Sequence, residues 1–173
     1  MRLITITGPS GAGKDTVARM LSDMTDWPVI CSYTTRPMRE GEQEGREHHF
    51  VKECNVPHSE MLAYTQYGGY EYWTTKEQAD GTAIYVIDED GLRNLYIHCP
   101  EMPMVHLYVD IPESVRRDRG VSEARIERDK RRRLLPEKFY QFFIHNVDDK
   151  ESLRFKVRTF YDWLGIRYRD SFR

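Results

Sequence analysis

The sequence has few cysteines and no long apolar run, and these shortages exclude several classes of protein. Its 173 residues contain three cysteines, Cys31, Cys54 and Cys99, an odd number without the spacing of a metal site. Free thiols favour a reducing compartment, so we expect a cytoplasmic protein. No stretch approaches the length of a membrane span, and the apolar residues 3–7 are too few for a signal-peptide core. We therefore expect no membrane partner.

Catalytic and metal-binding arrangements based on histidine are also missing. The six histidines show no metal-ligand spacing, and no Ser-His-Asp or Cys-His arrangement is visible. Hydrophobic residues make up 39% and charged residues 31% of the chain, which is ordinary for a globular protein. The length suits one domain with a small insertion.

Charge is close to balanced overall, at −2, but it is unevenly distributed. Residues 1–111 contain nine Lys or Arg against seventeen Asp or Glu, whereas residues 112–173 contain seventeen against eleven. The basic excess is greatest in residues 116–133. Three interpretations of such a run are open: a solvated helix face, a nucleic-acid patch, or a set of arginines that close over a polyphosphate. Because the whole chain is slightly acidic, we expect no nucleic-acid partner.

Short apolar runs alternate with helical periodicity along most of the chain. Continuous apolar runs are typical of parallel strands covered on both faces, and strand–helix alternation favours a doubly wound α/β sheet. Residues 34–81 interrupt this rhythm with alternating polar and aromatic residues, which indicates a small β-rich insertion. We predict five strands, at residues 3–7, 29–33, 83–87, 105–109 and 142–144, and helices at residues 16–24, 91–97, 113–119, 122–134 and 150–164.

The first strand leads into a phosphate-binding loop. The segment "GPSGAGK" completes the pattern Gly-x-x-x-x-Gly-Lys between a predicted strand and a predicted helix. Glycines let the backbone turn and aim its N–H groups at an anion, and the lysine follows the β- and γ-phosphates. We expect this loop to bind ATP, through Gly8, Pro9, Ser10, Gly11, Ala12, Gly13 and Lys14, continuing into Asp15 and Thr16.

Asp15 stands where a serine or threonine is usual after the loop lysine. A carboxylate in the first helical turn is favourable on dipole grounds alone. It would also repel bound phosphates unless a cation lay between them, and Mg²⁺ prefers oxygen ligands. We therefore favour Asp15 as an anchor for Mg²⁺, with Thr16 as a reserve.

A second anion site is indicated by "SYTTRPMREGE". Arg36 and Arg39 are spaced to lie on one side of a turn that Pro37 stiffens. The planar fork of arginine suits a phosphate monoester.

This segment, together with "GPSGAGK", "HHFV", "EYWTT" and "VIDEDG", resembles the guanylate kinase family in order and spacing. The resemblance implies a P-loop kinase with a parallel five-stranded sheet flanked by helices, a nucleoside-monophosphate-binding insertion (residues 34–81) and a short helical lid (residues 116–133). The core comprises residues 1–33 and 82–173. It also implies transfer of the ATP γ-phosphate to a nucleoside monophosphate.

The resemblance assigns roles to individual residues. Arg36 is implied in catalysis as well as in binding, alongside Lys14. Arg119 and Arg128 of the lid are implied to neutralise the transferring phosphoryl group, with Arg117 and Arg125 as second choices. Asn146 corresponds to a position near the donor adenine. The acceptor-binding positions are Ser32, Arg36, Arg39, His48, Tyr72, Thr74 and Asp88.

Several positions depart from the family pattern. His48 replaces a tyrosine, Trp73 a glycine, and Ala63 a glutamate that reads the guanine edge; Glu71, in place of a tyrosine, is a possible substitute. Without that carboxylate, guanine selection is weakened. GMP is the favoured acceptor, with dGMP next and a broader or different monophosphate still open.

Three other functions stay open. The Gly-Lys-Asp loop also resembles that of ribose bisphosphate phosphokinases, although the Thr-Thr-Arg-Pro-x-Arg element favours a nucleotide. A non-catalytic guanylate-kinase-like binding module is disfavoured because the loop lysine and glycines are intact. A nucleic-acid binder is disfavoured by the net charge.

Overall fold

The core of the protein is a four-stranded parallel sheet. The computed structural model describes residues 2–46 and 48–168. Its central strand, β1 (Arg2–Thr7), pairs on one side with β6 (Thr82–Val86) and on the other with β7 (Met104–Asp110), and β8 (Phe142–His145) completes the order β6-β1-β7-β8. The α/β class expected from the sequence is confirmed. Because the strands are parallel, their carboxyl ends, including Thr7 and Asp110, meet at one edge of the sheet.

The prediction of a fifth core strand at residues 29–33 is wrong for the described residues. Here the chain makes one parallel bridge, Val29 to Ile84, supported by hydrogen bonds from Ile30 N–H to Ile84 O (2.8 Å) and from Ile84 N–H to Pro28 O (2.9 Å). Proline has no N–H to extend the ladder on one side. On the other side, Tyr33 has already joined a second sheet.

Helices cover both faces of the core sheet. On one face, α1 (Lys14–Thr25) packs with α5 (Lys150–Tyr168) against Ile4 and Ile6, and Phe160 is fully buried there. On the other face, α2 (Glu89–His98) buries Leu92 and Leu95 against Leu3 and Tyr85. Burial of each large apolar side chain stabilises the fold by about 1.5–3 kcal/mol.

The insertion forms its own mixed sheet in the order β3-β2-β5-β4. Its strands are β2 (Tyr33–Thr34), β3 (His49–Phe50), β4 (Met61–Tyr67) and β5 (Tyr70–Thr75). The β4–β5 hairpin turns on Gly68 and Gly69, whose φ angles of 60° and 82° fit a two-residue turn that glycine favours. This sheet agrees with the expected β-rich insertion, although the domain boundaries themselves stay a prediction.

The segment predicted to form the lid contains α3 (Glu113–Asp118) and α4 (Glu123–Asp129), and we keep the name lid for it. We predicted a second helix reaching residue 134, but α4 ends at Asp129. The arginines that follow contact other partners: Arg132 pairs with Glu89, and Arg133 lies 2.8 Å from Asp90. A continued helix would place Arg132 four residues after Arg128, a like-charge pair that destabilises a helix, whereas the turn brings Arg132 and Arg133 to carboxylates on α2.

No helix in the described part of the chain is both long and apolar enough to cross a membrane.

Candidate active site

The phosphate-binding loop lies between the end of β1 and the start of α1, as the sequence predicts. Gly11 and Gly13 have φ angles of 78° and 86°, which favour glycine, and added Cβ atoms would lie 2.3 Å from Val121 and 2.6 Å from Asn146. A Cβ on Gly8 would lie 2.3 Å from the carbonyl oxygen of Val109. The loop is therefore built around close contacts that only glycine permits.

Lys14 is half-buried in the first turn of α1, and its Nζ donates to the Pro9 carbonyl oxygen at 3.0 Å. Burial lowers the pKa of Lys14 to about 8, despite the opposing negative charge of Asp15. A poorly solvated ammonium group without a carboxylate bonded to it is suited to an incoming polyphosphate.

Asp15 and Thr16 are exposed in the same helical turn. Among the described residues, no group of three or more His, Cys, Asp or Glu side chains is arranged to hold a metal. Asp15 and Thr16 could each supply one oxygen ligand from this turn. This fits Mg²⁺, which is commonly held by substrate phosphates and waters with one or two protein carboxylates.

Arg36 is buried, with 5% of its surface exposed, and is fixed by Glu42. Its two terminal nitrogens donate to the two carboxylate oxygens at 2.9 Å each, and one of them also donates to the Pro37 carbonyl oxygen at 2.7 Å. Burial opposes the charge, but Glu42 outweighs it and raises the pKa of Arg36 above its ordinary value. The Arg36 Nε is buried without a hydrogen-bond partner among the described residues. A bound anion would satisfy it.

Arg39, His48, Ser32 and Tyr72 lie around Arg36 on the wall of the same cavity. Ser32 Oγ and His48 Nδ1 are hydrogen bonded at 2.8 Å, and the rings of His48 and Tyr72 are 5.8 Å apart. Burial, followed by the positive charge of Arg36, lowers the pKa of His48. Four of the expected acceptor-binding side chains are therefore grouped with Arg36.

The two remaining acceptor-binding candidates lie differently: Asp88 is part of the cavity wall, whereas Thr74 lies behind it and does not line the cavity. Thr74 is fully buried and donates to the Tyr85 hydroxyl at 3.1 Å. Asp88 lines the cavity and also caps α2, because its Oδ1 accepts the Gly91 N–H at 2.7 Å. Desolvation in the cleft raises the pKa of Asp88.

The lid contacts the phosphate-binding loop through a buried carboxylate that the sequence interpretation missed. Asp129 Oδ2 accepts the Ser10 N–H at 2.7 Å and an Arg116 guanidinium N–H at 2.5 Å, while Oδ1 accepts the Ser10 hydroxyl at 3.2 Å. Arg128 donates to the Ser10 hydroxyl at 2.8 Å. Lid and loop thus form one charged cluster beside Lys14, and only structure could show that Asp129 points inward.

Arg132 is a second functional candidate that was missed. It lies in the basic run of residues 116–133, lines the cavity, and its Nε donates to buried Glu89 at 3.0 Å. Nothing in the sequence signals this pair, because Glu89 stands between Asp88 and Asp90 and looks like one of three solvated acidic residues.

Not every expected lid residue faces this cavity. Arg119 donates weakly to Asn146 (3.5 Å) and to the Asp148 carbonyl oxygen (3.3 Å), and lines a separate cavity behind the loop. Arg117 is exposed and pairs with Glu113 and Glu123.

Arg125 is half-buried. Burial and the positive charges of Arg39 and Arg128 lower its pKa. The Nε atoms of Arg125 and Arg128 are buried and unpartnered among the described residues.

Two cavities flank the loop, and the insertion contributes to the wall of the first one only. The first has a volume of about 240 Å³, and its wall contains Lys14, Arg36, Arg39 and Arg128. It therefore connects the phosphate-binding loop to the second anion site, formed by Arg36 and Arg39. The second, of about 670 Å³, lies on the other side of the loop and is lined by Gly11, Gly13, Thr16, Arg119 and Asn146.

The family model described as Guanylate kinase matches residues 1–132 of this chain. The chain belongs to the guanylate kinase family. A guanylate kinase from Thermobifida fusca is 33% identical over 61% of this chain, and one from Prochlorococcus marinus is 28% identical over 86% of this chain and 91% of its own length. The crystal structure of a guanylate kinase from Anaplasma phagocytophilum superposes with a TM-score of 0.64 at 20% identity, over 96% of this chain and 94% of that one. This structural likeness confirms the P-loop kinase fold.

Similarity to the family is strongest in the amino-terminal part of the chain. In three of the bacterial matches, including the one from T. fusca, the aligned region spans 40% to 60% of the relative's length.

The positions that depart from the guanylate kinase pattern are of two kinds in the structure. Ala63 lines the first cavity. Trp73 instead is 2% exposed and stacks on Tyr33 with ring centroids 5.6 Å apart, so it fills space between β2 and β5. Glu71 accepts the Tyr64 hydroxyl at 2.8 Å.

Proposed function

We propose that the protein transfers the γ-phosphate of ATP to a nucleoside monophosphate, with GMP or dGMP as the acceptor. One observation carries this proposal: Lys14 of the phosphate-binding loop and the pair Arg36 and Arg39 line a single cavity. Phosphoryl transfer needs two anionic groups to be held in line by fixed cations, with little covalent chemistry from the protein. The names of the relatives support the choice of acceptor.

In this proposal the loop residues 8–14 bind the donor phosphates, while Arg36 and Arg39 bind the acceptor phosphate. Arg128 lies beside Ser10 and neutralises charge that develops on the transferring group. Arg119 and Asn146 hold the donor nucleoside in the second cavity. The acceptor oxygen is already anionic, so no general base is required.

Closure of the lid over the loop excludes water and limits hydrolysis of ATP. The Nε atoms of Arg36 and Arg128, which have no hydrogen-bond partner among the described residues, support this arrangement, because both arginines line the first cavity and an anionic ligand there would satisfy them.

Asp15 and, in reserve, Thr16 would hold Mg²⁺ together with the donor phosphates. The ion would supply charge neutralisation at the β- and γ-oxygens. If Asp15 holds the ion, Asp15→Ser will shift the Mg²⁺ dependence of the initial rate to higher concentration. An unchanged Mg²⁺ profile would leave only the favourable contact with the helix dipole. Thr16→Val tests the reserve ligand: a shift of the Mg²⁺ dependence in this variant and not in Asp15→Ser would assign the ion to Thr16.

The function is tested by a coupled assay of ADP release with GMP, dGMP and ribose 1,5-bisphosphate as separate acceptors. We expect turnover with GMP and dGMP and none with the sugar phosphate. Turnover with ribose 1,5-bisphosphate alone would replace the proposed acceptor class. A folded protein that turns over none of the three would indicate a binding module. Half-buried cysteine side chains and nucleotide substrates are consistent with the cytoplasm as the site of action.

A further inference from the structure

The acceptor side of the first cavity contains two hydroxyl groups that the protein does not fully satisfy. Thr65 Oγ1 is buried and has no hydrogen-bond partner among the described residues. The Tyr85 side chain is 5% exposed, and its oxygen accepts the Thr74 hydroxyl at 3.1 Å. The Tyr85 proton then has no acceptor among the described residues. A buried polar group left unpaired destabilises the folded protein, so both groups indicate a polar ligand in this part of the cavity.

Tyr85 is fixed in position and in hydrogen-bonding role. Its ring is part of the apolar cluster around Leu92 and Leu95, and its strand β6 ends shortly before Asp88. Burial raises the pKa of Tyr85 well above its ordinary value, so the hydroxyl keeps its proton at any working pH. Because Thr74 already donates to the oxygen, Tyr85 presents a hydrogen-bond donor to the cavity.

The residues of β4 beside this donor are small, and Asp88 of the same cavity is the charged group that acts on Tyr85. Ala63 pairs with Thr74 across β4 and β5, and both Ala63 and Thr65 line the cavity. Arg36 and Arg39 lie on the cavity wall with Ser32 and His48, where the acceptor phosphate is proposed to bind. A nucleotide held there by its phosphate can therefore place its base against neutral hydroxyl groups. A carbonyl oxygen on the base complements the Tyr85 O–H, whereas an amino group in the same place does not.

Building on the proposed kinase function, we propose that Tyr85 is a specificity-determining residue that donates a hydrogen bond to a carbonyl oxygen of the acceptor base, with the Thr65 hydroxyl as a second contact. GMP and IMP keep this contact, whereas AMP, which has an amino group at the corresponding position, loses it.

Tyr85→Phe tests this inference because it removes the donor and keeps the ring. We expect kcat/KM for GMP and for IMP to fall about fivefold or more, since the carbonyl group of the base is then left without its hydrogen-bond donor. The value for AMP should stay unchanged, so that the GMP-to-AMP ratio falls. Thr65→Val should lower the same ratio to a smaller extent.

Tyr96→Phe is the matched control. The Tyr96 hydroxyl is hydrogen bonded to His106 Nε2 at 2.8 Å, and Tyr96 does not line the cavity. This variant should retain the wild-type ratio. A loss in Tyr85→Phe that is equal for all three acceptors would indicate a structural role and overturn the inference.

Calorimetry of GMP binding separates this inference from the kinase proposal. Wild-type protein that binds GMP no more tightly than Tyr85→Phe does refutes the role of Tyr85 and leaves the kinase proposal standing. Wild-type protein that phosphorylates no nucleoside monophosphate refutes the kinase proposal itself.

Discussion

Lys14 illustrates how burial prepares a single charge for its ligand. The side chain is partly withdrawn from water, and its Nζ donates to a backbone carbonyl oxygen, so desolvation is compensated only in part. The result is a pKa lowered to about 8. Bound polyphosphate would restore the preference for the charged form, because a nearby negative charge stabilises an ammonium group.

The lowered pKa predicts an alkaline limit for ATP use. Above pH 8, the free protein carries a neutral Lys14 amine, and binding of ATP must then take up a proton. We expect kcat/KM for ATP to fall about tenfold per pH unit above an apparent pKa near 8, because this parameter reports ionisations of the free protein.

Lys14→Arg is the informative comparison, since a guanidinium group stays charged throughout this range. Its kcat/KM for ATP should be lower than that of the wild type but should not fall as the pH rises above 8. If kcat/KM for ATP still falls above pH 8 in Lys14→Arg, the titration belongs to another group.

Single residues also show which parts of the site can be located from the sequence and which cannot. Gly11, Gly13 and Lys14 could be located from spacing alone, because a loop that turns tightly around an anion requires those residue types at those intervals. Tyr85 could not. In the sequence it is one apolar residue of a buried strand, and its hydroxyl gains a role only when β5 brings Thr74 to it.

At the level of elements, the lid is held to the phosphate-binding loop by the Asp129 carboxylate. Its side chain is 5% exposed, and it pairs with Arg116, whose side chain is 7% exposed. Burial opposes ionisation of Asp129, but hydrogen bonds from Ser10 and the charges of Arg128 and Arg116 outweigh it, so the pKa of Asp129 lies below its ordinary value. The ionised carboxylate therefore stabilises the folded state.

Asp129→Asn is expected to destabilise the protein by about 1–3 kcal/mol at neutral pH, because the amide keeps the shape but loses the charge that pairs with Arg116. Thermal unfolding measures the loss. Since the pKa is lowered on folding, the stabilisation is present at neutral pH and disappears as pH falls below about 4. The difference between wild type and variant should therefore shrink in acid.

Glu127→Gln provides the control on the same helix. Glu127 is 60% exposed and pairs with Lys130 at the surface, so its change should be within about 0.5 kcal/mol. Equal effects of the two substitutions would show that Asp129 does not anchor the lid.

The elements themselves were predictable where local pattern and packing agree. Helices α1, α2 and α5 follow from their apolar periodicity, and each packs that face on the sheet. The errors occurred where a distant partner decides the structure. The stretch after Val29 leaves the core ladder because Tyr33 pairs with Trp73, and α4 ends at Asp129 because the following arginines contact α2.

At the scale of the whole molecule, two anion sites from distant parts of the chain open into one cavity. Lys14 follows β1 of the core, whereas Arg36 belongs to the insertion, which is fastened to α2 by a hydrogen bond from Tyr64 N–H to Asn94 Oδ1 at 3.1 Å. The sequence indicated each site separately. That they share a cavity depends on how the two sheets pack, which no local pattern encodes.

A ligand that joins the two sites tests this geometry directly. Adenosine and guanosine linked 5′ to 5′ through five phosphates can occupy the donor and acceptor sites together. We expect calorimetry to show binding about 10²- to 10⁴-fold tighter than that of either ATP or GMP, because the second site is then engaged within one molecule. The analogue bridged by two phosphates is the control, since too short a bridge prevents simultaneous binding. If the pentaphosphate ligand binds no more tightly than ATP, then Lys14 and Arg36 do not serve one reaction, and the shared cavity is not where a phosphoryl group is transferred.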